Sequence, residues 1–331
     1  MGFKSRLNRF RSEMRPTIRE LKFLTHKVKR NPLSLSGAII LLFFFAVALL
    51  APLLAPPMPG EDPYISPYDG PPYKEWISPL PTSPSSKHPF GTLKGYDIYY
   101  GCIWGTRTAF RIGLLVTFVT LAVGLVIGCV AGYYGGLIDE LMMRFADIFF
   151  AFPGLLLAIV MVVALPSVWP VNLGPIAFEV ALSPLDKLVL ALALVGWPSY
   201  ARIIRGEIAK VKHEDYVEAA KAVGCSDLRV MVKHILPNSM FPILIMAFLN
   251  LGGIVLSAAT LSFLGFGPKM GYADWATIIS HSRDYIINPQ DPFGLSYTWI
   301  IPSVFIFAFI LGWSLLGDTL RDILDPMMRR R

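Results

Sequence analysis

The residues able to do chemistry are few and mostly stand apart. His213-Glu214-Asp215 sets an imidazole beside two carboxylates, the ligand types of a metal site. Adjacent positions on a helix point apart, so no metal is expected there. Gly265-Phe-Gly-Pro-Lys-Met-Gly271 is glycine-rich like a phosphate loop but lacks its Lys-Ser/Thr ending, and the complete P-loop pattern occurs nowhere. Cys102, Cys129 and Cys225 fall at different levels of the chain, so no structural disulfide is expected. The informative stretch runs from Glu214 to Asn238. Tyr216–Val223 is a run of helix formers, including Glu218, Ala219 and Ala220, stopped by Gly224, whose tolerance of positive φ suits a helix C-terminus. Ser226 suits an N-cap, with Asp227 favourable in the first turn. Leu228, Met231, Val232, Ile235 and Leu236 then form one apolar stripe on a second helix ending at Pro237. Helix, glycine turn, helix makes either an ordered connection or a rigid knob for a groove on another protein.

The elements that must carry this knob are set by hydropathy. Of 331 residues, 54% are hydrophobic and 16% charged, against roughly 45–50% and 25% in soluble domains. About 20 apolar residues cross a bilayer, and six segments qualify: 33–55, 112–134, 148–165, 188–204, 239–264 and 297–317. Pro153 and Pro198 interrupt the third and fourth, and Pro242 and Pro302 sit near the starts of the last two. The first is read as an uncleaved anchor, since more than 30 residues precede it and five spans follow. The fold class is therefore all-α, a polytopic membrane protein of six transmembrane helices. Disorder, a disulfide scaffold and a purely soluble enzyme are excluded.

With the N-terminus inside, segments 1–32, 135–147, 202–238 and 318–331 hold 22 of the 30 Lys and Arg residues. The positive-inside rule thus places both termini in the cytoplasm, and accounts for the net charge of +7 without nucleic acid. Arg15–Arg30 alternates basic and apolar residues, as an amphipathic helix on the inner leaflet would, or as a merely basic tail does. The external segment 56–111 is proline-rich, twelve prolines falling in 51–90, and it should form an irregular layer. Its aromatic residues include Tyr64, Tyr68, Tyr73 and Trp76. No Asp, Glu, Lys, Arg or His stands in the central part of any span, where each would cost about 2.5–3.5 kcal/mol. A proton relay is not expected. Asn250 is the most polar residue at depth, and either bonds a neighbouring helix or lines a solute path.

Glu218-Ala-Ala, three residues, Gly224, then Ile235-Leu-Pro237 resembles the EAA loop of binding-protein-dependent ABC importer permeases. Further stretches resemble the dipeptide/oligopeptide/nickel branch, its C-type second permease in particular. They are Lys29-Arg-Asn-Pro, His88-Pro-Phe-Gly-Thr92, Gly136-Leu-Ile-Asp through Asp147, Trp197-Pro-Ser-Tyr-Ala-Arg202, Thr260 to Gly267 and Leu316-Gly-Asp through Pro326. The likeness runs from about residue 25 to 328. Cys225 stands where the family usually has alanine, and Leu93-Lys-Gly-Tyr-Asp97 replaces an acidic stretch ending in Gly-Arg-Asp.

The resemblance implies a type I ABC importer-like permease: an anchor, the external segment, a five-helix core over 112–317 with an EAA coupling loop at 207–238, and a cytoplasmic tail. It implies half of a gate for peptides, or for oligosaccharides or nickel in the same architecture, paired with a homologous second permease. It implies one or two cytoplasmic ATPase subunits, which use ATP and magnesium, and an external solute-binding protein. The chain itself would bind no cofactor and catalyse nothing. Tyr216, Glu218, Ala219, Ala220, Gly224, Ser226, Asp227, Arg229 and Pro237 would form the ATPase contact, Glu218 as its charged group, with Arg229 and Lys233 adding ion pairs of about 0–1 kcal/mol each. Gly224→Asp would uncouple ATP hydrolysis from uptake by spoiling both turn and fit. A partner-independent transporter or channel would leave the glycine-broken loop unexplained.

Overall fold

The structure, a computed structural model, describes residues 31–69, 80–173, 176–286 and 294–324. Arg15–Arg30, Tyr73, Trp76 and the tail beyond 324 lie outside the described residues. Among the described residues, five helices are long and apolar enough to span a membrane, and a helix pair bent by 90° has the length and composition for a sixth.

The first helix, α1 (Pro32–Leu54), starts where Asn31 accepts a hydrogen bond from Leu33 N–H at 3.1 Å and Pro32 occupies the first turn, where a missing donor costs nothing. A two-residue ladder, β1 (Thr92–Leu93) with β2 (Tyr96–Asp97), leads into α2 (Ile98–Tyr134), capped by the Asp97 side chain. Thus α2 begins at Ile98 rather than at 112, and its 37 residues reach about 55 Å. Arg107 and Arg111 made residues 98–111 look extramembranous, yet both are served inside the protein. Arg107 donates from Nε to Ala48 O at 2.5 Å and from a terminal nitrogen to Leu49 O at 3.3 Å. Ala48 O is the carbonyl that Pro52, lacking an N–H, cannot serve. Arg111 pairs with Asp186 at 3.2 Å.

The expected cytoplasmic loop 135–147 is helical instead. Helices α3 (Gly136–Phe150) and α4 (Gly154–Ala164) meet at 90° across Ala151–Pro153, replacing the single span expected at 148–165. Beyond α4, β3 (Val168–Leu173) and β4 (Ile176–Ala181) pair antiparallel, Trp169 opposite Val180. This hairpin departs from the all-helical expectation. It is followed by α5 (Pro184–Val211), which opens with a capping box of Ser183 and Asp186.

The closest packing joins α2 to α5. Gly124, Gly128 and Gly132 recur every fourth residue on α2, and a Cβ on each would lie 2.6–2.7 Å from Tyr200 Cβ, Ala201 O and Arg205 O respectively. Small residues at this spacing let two backbones touch in a membrane. Arg205 then holds Asp139 with Nε at 2.8 Å and a second nitrogen, and Arg202 holds Asp147 at 2.6 Å, tying α3 onto α5.

Two short helices follow, α6 (Asp215–Ala222) and α7 (Asp227–Val230), then a π-turn at Met231–Ile235 and α8 (Leu236–Leu261). A second π-turn, Ser262–Phe266, closes α8, with Gly265 at φ +95°. The buried α9 (Trp275–His281) is capped by Asp274, and α10 (Arg283–Ile286) precedes α11 (Tyr297–Leu324). Pro242 and Pro302 therefore lie inside α8 and α11, several residues from their starts. Trp275 packs with Phe44 and Phe309 and donates to Cys102 O at 2.9 Å, so α9 joins α1, α2 and α11.

Outside, the proline-rich segment folds onto these ends. Tyr64 stacks on Tyr272 with ring centres 5.7 Å apart, and Ser66 N–H donates to Gly271 O at 2.7 Å. His88 places Nδ1 2.8 Å from Asp97 and Nε2 3.0 Å from Asp69, while Lys87 also bonds Asp69.

Candidate functional site: the cytoplasmic loop and the cavity behind it

Local sequence builds the knob as follows. Val217 and Ala220 turn inward from α6 and join Tyr133, Ile208, Val230 and Ile235 in one buried cluster. Burial of Val217, Val230 and Ile235 stabilises the loop by ~1.5–3 kcal/mol each. The helix ends with Gly224 N–H donating to Lys221 O (2.9 Å) and Cys225 N–H donating to Ala220 O (3.1 Å), the two bonds of a Schellman turn. Gly224 has φ +84°, and among the described residues no atom beyond its two chain neighbours lies within 4 Å of a Cβ added there. Glycine is thus required by backbone conformation, and any loss of fit would have to come from a partner.

Tyr216, Glu218 and Ala219 are exposed, whereas Ala220 is 8% exposed and packs beneath them. Ala220 is therefore an internal wedge, not part of the outward face. Ser226 occupies the N-cap position with extended backbone, but its side chain makes no capping bond. The side chain of Asp227 instead accepts a 2.5 Å bond from the Tyr133 hydroxyl. Arg229 is exposed.

The expected apolar stripe is only half right. Val230 and Ile235 point inward, five residues apart, while Leu228 is 68% and Val232 56% exposed. The cause is the π-turn, where Leu236 N–H reaches back five residues to Met231 O. A 3.6-residue period cannot follow the extra residue. Nor does the second helix end at Pro237. That residue comes just after the π-turn, and the helix continues past it, so the loop runs without a break into the next span. Outward, the knob shows Tyr216, Val223, Leu228 and Val232 around Glu218 and Ala219.

Behind the knob, α2, α4, α5 and α8 enclose a cavity of about 390 Å³. Its polar groups are all uncharged: Thr120, Ser199, Tyr200, Asn250 and Ser257. Asn250 Nδ2 donates to the Tyr200 hydroxyl of the neighbouring α5 at 3.4 Å, and the residue also lines the cavity. Among the described residues, no group of His, Cys, Asp and Glu could hold a metal ion.

Two features of the site escaped sequence reasoning. The spacing of Gly124, Gly128 and Gly132 was there to be read as a helix-contact signal. Tyr133 carried no signal, because its partner lies 94 positions away.

Comparison with known proteins identifies the family. Residues 124–330 match the family of binding-protein-dependent transport system inner membrane components. The chain is 34% identical over 304 residues to the dipeptide transport system permease protein DppC of Alkalihalophilus pseudofirmus, covering 92% of this chain and 88% of that one. It is 32% identical over 302 residues to the glutathione transport system permease protein GsiD of Pectobacterium atrosepticum, covering 91% and 89%. An inward-facing crystal form of the MetNI methionine ABC transporter shares the fold at TM-score 0.50 and 16% identity, over 68% of this chain and 96% of that one. The chain belongs to the binding-protein-dependent transport system inner membrane components, as a multi-pass permease subunit of an ABC importer that works with other ABC components and is not itself an enzyme.

Proposed function

We propose that the chain forms half of a gate for peptides, paired with a homologous, non-identical permease, and that its 207–238 loop docks a cytoplasmic ATPase. The observation that carries this reading is the construction of the loop: a Schellman turn fixes two helices while Glu218 and Ala219 face outward above buried Val217 and Ala220. Tyr216, Glu218, Ala219, Gly224, Arg229 and the exposed apolar rim form the contact, and Ala220, Ser226, Asp227 and Pro237 hold its shape. ATP and magnesium belong to the ATPase subunits, and an external binding protein delivers solute to the outer face. Peptide as solute is supported by the relatives named for dipeptide and glutathione transport, and by an uncharged cavity that can pass solutes of varied side chain.

The test is purification of the tagged chain from its native membrane in mild detergent, with its companions identified by mass spectrometry. ATP hydrolysis is then measured with the co-purifying binding protein and a dipeptide mixture. Recovery of a second permease and one or two P-loop ATPases, with hydrolysis stimulated by dipeptide, is expected. A chain recovered alone, still moving solute after reconstitution, overturns the proposal.

A further inference from the structure

Tyr133 lies in the last turn of α2 and is buried. Its hydroxyl donates to Asp227 Oδ1 at 2.5 Å, so a residue of α2 sets where α7 begins. A phenol bonded to a carboxylate is a charge-assisted pair, stronger than a neutral one. Above the ring stand two ammonium groups, Lys221 Nζ at 5.1 Å from α6 and Lys212 Nζ at 5.8 Å from the end of α5, both within cation–π range. One side chain of α2 thereby meets the end of α5 and both helices of the loop. Further along the same helix, Gly124, Gly128 and Gly132 hold α2 against the α5 backbone, and Val116 and Thr120 line the cavity.

We infer that Tyr133 is the positioning residue that makes α2 follow the loop, through its hydroxyl bond to Asp227 and the lysines over its ring. The inference rests on the reading of the loop as the ATPase contact. It touches neither solute nor nucleotide, and its work is to convert displacement of the loop into displacement of a cavity wall.

The experiment uses the complete transporter in proteoliposomes and reads radiolabelled dipeptide imported per ATP hydrolysed. Tyr133→Phe keeps the ring and removes the donor; Asp227→Ala removes the acceptor; Asp227→Asn keeps one. Tyr133→Phe and Asp227→Ala should each lower the ratio by about tenfold while ATP hydrolysis continues. The double variant should be no worse than either single one, since both remove the same bond. Asp227→Asn should retain several times the ratio of Asp227→Ala. A wild-type ratio in Tyr133→Phe or in Asp227→Ala overturns the inference, as does a parallel fall of import and hydrolysis, which marks a merely structural bond. A wild-type chain that retains no ATPase refutes the docking reading itself; one that retains it while Tyr133→Phe imports normally refutes only the role of Tyr133.

Discussion

Substitution at Gly224 separates two reasons for a glycine in the proposed docking loop. Its φ of +84° lies where an L-residue brings Cβ toward its own carbonyl oxygen, at a cost of roughly 1–2 kcal/mol. Asn and Asp tolerate this region better, because their short polar side chains bond locally. Among the described residues, no atom beyond its chain neighbours lies within 4 Å of an added Cβ, so tertiary crowding adds nothing. If the docked turn is the coupling-competent one, Ala should lower its population about five- to thirtyfold, and Val further. Asn and Asp should fall less than Ala, although both are larger. Import per ATP hydrolysed therefore ranks Gly, Asn, Asp, Ala, Val when set by backbone conformation. It ranks Gly, Ala, then the larger residues when set by fit against an ATPase. Measured in proteoliposomes at equal incorporation, a retained ratio in Gly224→Ala with loss in Gly224→Asn refutes the conformational argument. Gly224→Asp is thus expected to be milder than Gly224→Val, whereas turn and fit acting together would make it severe.

Three further outcomes follow from single contacts. Gly128→Ala places Cβ 2.6 Å from Ala201 O and 2.8 Å from Ile204 Cβ, and should cost ~1–3 kcal/mol by overpacking. Thermal unfolding in detergent against Gly206→Ala, where nothing lies within 4 Å, checks it; equal stability removes the argument. His88 bonds a carboxylate through each ring nitrogen, and carboxylates only accept, so the ring must donate twice and carry charge. The bond to Asp97, with that to Asp69, raises its pKa above 6.5. The contribution of this bridge is complete below 6.5 and is lost as pH rises through the raised value. Proteolysis of the 60–84 segment should quicken in the wild type, but not in His88→Gln, as pH rises through the raised value; protection unchanged across the whole alkaline titration of the wild type overturns the bridge. Asn250→Leu removes a long hydrogen bond, worth about 0.5–1.5 kcal/mol at most, and a polar group of the cavity wall. It should change the import rate more than the melting temperature, and the reverse would make Asn250 purely structural.

Hydropathy exposes the spans because a bilayer leaves no other place for 20 apolar residues in a row. It is blind to side chains that are polar alone and satisfied in the fold, and so it cut α2 short at Arg107 and Arg111. One of these serves the carbonyl that Pro52 abandons, and the other pairs with Asp186. Gly224 was legible because a left-handed residue after a helix almost demands glycine. The face beyond it was not, since a π-turn shifts the phase by one residue and no composition signal marks where that occurs. The β3–β4 hairpin was hidden for a different reason. Its residues lie between two apolar spans, and its stability depends on pairing Val168–Leu173 with Ile176–Ala181, which hydropathy does not register.

The placement of charge in this chain makes mechanical sense when followed along α2. At its outer end, the backbone carbonyls of α1 are held by Arg107 and by Trp104, whose Nε1 donates to Ala55 O at 2.8 Å. At its inner end, Tyr133 meets Asp227 and two lysines. Arg111 adds a pair with Asp186 near the outer end of α5; inward of it α2 carries no charge, and its glycine stripe meets α5 through shape. Such a contact resists separation, because each glycine already sits against backbone, but it has no directional bonds to break on sliding. The directional bonds lie at the two ends, where a movement must enter or leave. A long helix held by polar contacts at its ends and by close packing between them can move as one body past the cavity, which is what a gate driven from the cytoplasmic side requires.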